Sequence, residues 1–133
     1  MKKLSLLFFS FIYVAATHLF AAKVDTVQTF SKTMNKEIPA IVVTPDSYTQ
    51  ETNLPVVYLL HGYSGNYAGF MEFAEIEKMA DQYNFIIVCA DGNFSSWYFD
   101  SPLDSTSRYE TYIAKELVEW IDSNYKTDRR RES

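Results

Sequence analysis

Cysteine, histidine and glycine are all scarce in this chain, and each scarcity removes a class of chemistry. A single cysteine, Cys89, permits no intramolecular disulfide, so the fold must be held by its core alone. Two histidines, His18 and His61, together with one cysteine cannot close a metal site, and neither a metal nor any other cofactor is expected. Of the four glycines, Gly62, Gly65 and Gly69 cluster, but without the Lys and Ser/Thr of a phosphate-cradling loop. No Gly-x-Ser-x-Gly occurs, so the strained turn that exposes a serine nucleophile is missing from these residues. Basic residues are outnumbered, 12 Lys and Arg against 17 Asp and Glu, and the net charge of −5 argues against nucleic acid as a partner.

What is present is apolar and aromatic. At 133 residues, 47% hydrophobic and 17% aromatic, the chain is at most one domain and rich enough for a packed core. Met1-Lys2-Lys3 followed by Leu4 to Phe20, interrupted only by Ser5, Ser10, Thr17 and His18, reads as a secretory signal over residues 1–22, cleaved near Ala21 or Ala22. The expected location is secreted or periplasmic, with no stable membrane association after cleavage. An uncleaved anchor is the alternative, since the stretch nearly reaches the roughly 18 to 20 residues that span a bilayer.

Periodicity then divides residues 23–133. Val24, Val27 and Phe30, then Ile38, Ile41, Val42 and Val43, predict two antiparallel strands over 24–30 and 38–43. The run 54–60 predicts a buried strand, and Phe70, Phe73, Ile76, Met79 or Ala80, and Tyr83 place one amphipathic helix over 69–83. Phe85 to Ala90 is a second buried strand, in which Cys89 is a small core hydrophobe. A strand-helix-strand unit favours parallel pairing, which brings Leu60 and Ala90 to one edge of the sheet, where ligands bind. After an aromatic, Ser-rich loop over 91–107, a helix over 108–125 carries Tyr109, Ile113, Leu117, Trp120 and Ile121 on one stripe. The charged residues Thr127 to Ser133 are expected to end the chain without a further strand. The fold class is α/β, with an antiparallel β start and then parallel β-α-β-α.

The apolar run from Leu54 breaks abruptly into His61-Gly62-Tyr63-Ser64-Gly65, which reads as a strand delivering a backbone loop to an active site, the glycines lending backbone freedom. Ordered motifs surround it: Ser31-x-x-Met34-x-Lys36-x-Ile38-Pro39, then Tyr58-Leu59-Leu60-His61-Gly62, then Asp91-Gly92 with Ser96-Trp97-Tyr98, then Glu110-x-x-x-Ala114-x-Glu116-Leu117. This set is similar to the esterase D family of α/β-hydrolases, which includes tributyrin, acetyl and feruloyl esterases, S-formylglutathione hydrolases and mycolyltransferases. The resemblance implies the N-terminal part of an α/β-hydrolase over 23–133, belonging to a serine carboxylesterase and acting on a small-molecule or carbohydrate ester. In such proteins a Gly-Leu-Ser-Met-Gly-Gly elbow follows the helix matched by 108–125, with the acid and base later still. Nucleophile, acid and base are thus expected to be absent here, and no useful turnover is expected of these residues alone.

Within the loop, the resemblance implies that the Tyr63 main-chain N–H helps to hold the developing oxyanion. His61 precedes the place where a base of this order occurs, so its expected role is to support the loop together with Gly62, Ser64 and Gly65, Ser64 not being the nucleophile. The aromatics of 94–99 read either as core packing or as a substrate wall, and Trp97 is the candidate for contact with an acyl group or sugar ring. Asp91, Asp100 and Asp104 are turn caps before they are chemistry. A non-catalytic carbohydrate-binding or interaction module is the alternative function.

Overall fold

A computed structural model describes residues 21–73 and 75–130, so the signal expected over 1–22 lies almost wholly outside the described residues. The antiparallel start is present and longer than expected. β1 (Lys23–Ser31) and β2 (Lys36–Thr44) pair along their whole length, from Lys23 opposite Thr44 to Ser31 opposite Lys36. The turn between them is closed by Asn35 in the left-handed region, φ 49°, which asparagine tolerates better than most residues.

β3 (Val56–Leu60) and β4 (Ile86–Ala90) complete a mixed sheet in the order β1-β2-β4-β3. β4 runs antiparallel to β2 and parallel to β3, with Leu60 opposite Ala90. All five β4 residues are buried because both faces of this central strand are covered. Ile86, Val88 and Ala90 pack with Tyr109, Tyr112, Leu117 and Ile121 on one face. Ile87 and Cys89 pack with Ile41, Val43, Ile76 and Ala80 on the other.

Two expectations differ from the structure. The run at 54–60 is not a fully buried strand: β3 pairs only with β4 among the described residues, leaving Val57 and Leu60 partly exposed. Pro55 interrupts the run, and Leu54 instead makes a single bridge to Thr127, with no strand after the last helix among the described residues. The stretch 69–83 forms two helices, α1 (Gly69–Phe73) and α2 (Ile76–Tyr83), and only Ile76 and Ala80 of α2 reach the core while Met79 and Tyr83 face outward.

The last helical stretch also differs from a regular one. α3 (Tyr109–Thr111) passes into a π-helical turn at Tyr112–Glu116 and then α4 (Leu117–Asn124). The buried side chains are Tyr109, Tyr112, Leu117 and Ile121, and the five-residue step from Tyr112 to Leu117 is the extra residue that a π turn inserts. Tyr112, which the regular stripe omits, is fully buried, and its hydroxyl lies 2.6 Å from Thr29 Oγ1 on β1. No helix among the described residues is long and apolar enough to cross a membrane.

Candidate functional site

The pairing of Leu60 with Ala90 brings the residues that follow, His61 and Asp91, to the same edge of the sheet. His61 is buried, and its ring makes two hydrogen bonds that fix its state. The Gly92 N–H donates to Nε2 at 2.9 Å, so Nε2 must be an unprotonated acceptor. Nδ1 then carries the proton and donates it to the Gly62 carbonyl at 2.8 Å. Neither nitrogen is left with a lone pair to take a proton from a nucleophile.

The Gly62 carbonyl is held a second time, by the Gly65 N–H at 3.1 Å. That carbonyl and the Tyr63 N–H belong to one planar trans peptide unit, so turning the oxygen inward aims the N–H the opposite way. The Ser64 N–H is taken by the Phe94 carbonyl at 2.9 Å, whereas the Tyr63 N–H meets no acceptor among the described residues. A Cβ added at Gly62 would meet nothing within 4 Å, so the space beside this peptide is open. The loop therefore presents the Tyr63 N–H as an unspent backbone donor on a braced peptide.

Its glycines work differently from expectation. None has a positive φ, and the left-handed residue of the loop is Ser64, at φ 60°. Gly65 is needed for proximity instead: a Cβ there would lie 3.0 Å from His61 Cβ and 3.1 Å from Nδ1. Gly69 simply opens α1.

Facing this loop, residues 91–99 carry the aromatics. Asn93, Trp97 and Tyr98 all have left-handed φ, at 62°, 55° and 53°, a conformation that costs Trp97 and Tyr98 roughly 1–2 kcal/mol each and that asparagine tolerates better. The Tyr98 hydroxyl donates to the His61 carbonyl at 3.2 Å, and its ring stands edge-on to the imidazole, centroids 5.7 Å apart. Burial pushes the Tyr98 phenol up to about 12, the His61 hydrogen bond opposing and the nearby Asp91 charge assisting, so it is a donor at neutral pH. Phe94 and Trp97 both meet the Tyr63 ring, at centroid distances of 5.0 and 5.9 Å. These three rings are more than half exposed, which makes them a surface wall rather than core.

For Asp91 and Asp104 the turn-cap reading describes the geometry, whereas Asp100 reaches across to α3. Asp91 accepts from the Asn93 N–H, Asp104 from Thr106, and Asp100 from both the N–H and hydroxyl of Thr111. A cleft of about 250 Å³ lies against the loop, lined by His61, Gly62, Gly65, Asn66, Gly69 and Phe70. A larger one, about 450 Å³, lies near the start of β3 and the end of α4, where Asp122 is already bonded to Thr127 and Arg129. Gly92 and Tyr98 are the residues whose part in this site composition and spacing did not single out. Their only signal was membership of the motif set Asp91-Gly92 and Ser96-Trp97-Tyr98.

Comparison with known proteins gives the chain its family. A family model described as "Putative esterase" matches residues 31–133, more than half of the chain. An acetyl esterase of Caldicellulosiruptor saccharolyticus is 27% identical over 111 residues, covering 77% of this chain and 41% of that protein. A ferulic acid esterase structure superposes with a TM-score of 0.73 at 28% identity, over 84% of this chain and 47% of that one. An S-formylglutathione hydrolase from Agrobacterium tumefaciens shares the fold, with a TM-score of 0.72 at 23% identity, over 82% and 46% of the two chains. The chain spans less than half the length of these relatives. With a matching sequence model, a mixed sheet flanked by helices and esterase neighbours in both comparisons, this chain belongs to the esterase family of α/β-hydrolase fold that the model describes.

Proposed function

We propose that these residues supply the oxyanion-binding part of an exported serine carboxylesterase that cleaves acetyl, feruloyl or other short acyl esters. The observation that carries the reading is the Tyr63 N–H, unspent on a peptide whose carbonyl is fixed by His61 Nδ1 and the Gly65 N–H. Attack on an ester carbonyl places negative charge on its oxygen, and a donor already oriented there stabilises the transition state without reorganising. His61 acts in this reading as the brace of that peptide and not as the base. Gly62, Ser64 and Gly65 shape the loop, and Trp97 with Tyr63 lines the approach of the substrate.

Serine nucleophile, acid and base come, in this reading, from sequence beyond these 133 residues, which alone give no useful turnover. The names of the acetyl esterase and ferulic acid esterase relatives support the choice of acyl groups. The exposed rings of Phe94 and Trp97 favour a second reading, a non-catalytic carbohydrate-binding module, and one experiment separates the two. The protein expressed from its full coding region, called full-length below, is assayed on p-nitrophenyl acetate beside residues 23–133 alone. Turnover by the former only is the expected result. No turnover by either, with sugar binding retained, would favour the module.

A further inference from the structure

We propose that Tyr98 is a positioning residue for the oxyanion loop, its hydroxyl holding the His61 carbonyl so that the next peptide presents the Tyr63 N–H. The inference rests on the reading of Tyr63 given above and extends it to a residue that touches no substrate. Two chains of contact converge on the same backbone. The imidazole of His61 is set by the Gly92 N–H at 2.9 Å and sets the Gly62 carbonyl at 2.8 Å. The main chain of His61 is set by the Tyr98 hydroxyl at 3.2 Å. With both ends of His61 fixed, the Gly62–Tyr63 peptide has little freedom to swing.

Tyr98 reaches this position by an unfavourable route. It and Trp97 are consecutive left-handed residues, φ 53° and 55°, held by Ser96, whose hydroxyl donates to the Gly92 carbonyl and accepts the Tyr98 N–H at 3.1 Å. Strain kept at two adjacent non-glycine residues is the pattern of a segment whose placement matters more than its comfort. The ring also needs Gly92 to be bare, because a Cβ there would lie 2.3 Å from Tyr98 Cε1 and 2.6 Å from its hydroxyl oxygen. Gly92 thus serves the lock twice, as donor to His61 and as the floor beneath Tyr98.

The test is Tyr98→Phe in full-length protein, read by kcat and KM on p-nitrophenyl acetate and by amide exchange across residues 61–65. Losing a whole oxyanion donor costs about 10²- to 10³-fold in kcat, so losing its positioning is expected to cost about 10- to 100-fold with KM within about twofold. Exchange of the loop amides is expected to accelerate at least about fivefold, because the loop opens locally more often. Lowered thermal stability with kcat and exchange unchanged would overturn the proposal by reducing Tyr98 to packing. If full-length wild type turns over no ester, the Tyr63 reading fails on its own. The exchange measurement then still decides Tyr98, acceleration supporting the positioning role and an unchanged rate overturning it.

Discussion

The Gly92 N–H donates to Nε2 of His61 at 2.9 Å, and this one bond decides what His61 can do. A nitrogen that accepts from a buried backbone donor is unavailable as a general base, and the proton on Nδ1 is committed to the Gly62 carbonyl. His61→Ala removes the acceptor of Gly92 and the brace of Gly62 together. The expected cost is about 1–3 kcal/mol in stability from the orphaned buried N–H. In full-length protein kcat is expected to fall about 10- to 100-fold, far short of the roughly 10⁶-fold that follows loss of a true base. Urea unfolding and steady-state kinetics on the purified variant measure the two.

Gly92→Ala should reproduce loss of the Tyr98 hydroxyl bond without touching Tyr98. The added methyl occupies the space of the Tyr98 ring, which must swing away from the His61 carbonyl. The expected outcome is a fall in kcat matching that of Tyr98→Phe, and a double variant no worse than either alone, since residues in one network are not additive. Additive losses would show that the two act separately.

Glu116 ties the π-helical turn to the β1–β2 hairpin. Its Oε2 accepts from the Ser31 hydroxyl at 2.5 Å and its Oε1 from the N–H and hydroxyl of Thr33, both at 2.8 Å. Burial raises its pKa, but these donors outweigh it, and the carboxyl is held below the usual glutamate range. Because the folded pKa lies below the unfolded one, the stabilisation is present above the ordinary range near about pH 4.3 and is lost as pH falls through the folded value. Glu116→Gln is expected to lose about 1 kcal/mol at neutral pH, the modest figure reflecting partial exposure. Thermal melts of wild type and variant from about pH 6 to about pH 3 should converge at the acid end.

Cys89 is sealed on β4, with no accessible surface, and burial pushes its thiol up to about 11. Reaction with Ellman's reagent should be negligible in the native state and complete in guanidinium, since the thiolate is the reacting form. Rapid native labelling would mean that the sheet face packed on Ile76 and Ala80 opens readily.

The parts of this fold that could be read from sequence are those where one local pattern has one structural meaning. The unbroken run of apolar residues ending at Ala90 is a central strand covered on both faces, and it formed as such. The spacing of Tyr109, Leu117 and Ile121 marks a helix against the sheet, but the π turn shifts the phase, so Tyr112, which meets the distant Thr29 hydroxyl, falls outside the local period. In the site, the position of His61-Gly62 after a strand was legible, whereas the use of Gly65 was not. Its smallness answers the imidazole folded over it, and Ser64 takes the left-handed turn instead. Nothing in the order Ser96-Trp97-Tyr98 reveals that Trp97 points outward while Tyr98 turns under the loop, since that choice is made by positive φ angles at both residues.

Binding of the oxyanion by the Tyr63 main-chain N–H is tested by proline at this position, which removes that hydrogen and also fixes φ at 63 and restricts Gly62. In full-length protein, kcat on p-nitrophenyl acetate is measured for Tyr63→Pro beside Tyr63→Ala, which keeps the N–H while losing the ring. The expected result is a fall of about 10²- to 10³-fold for proline and a change within about fivefold for alanine. Wild-type kcat in the proline variant, or equal losses in both, would contradict it.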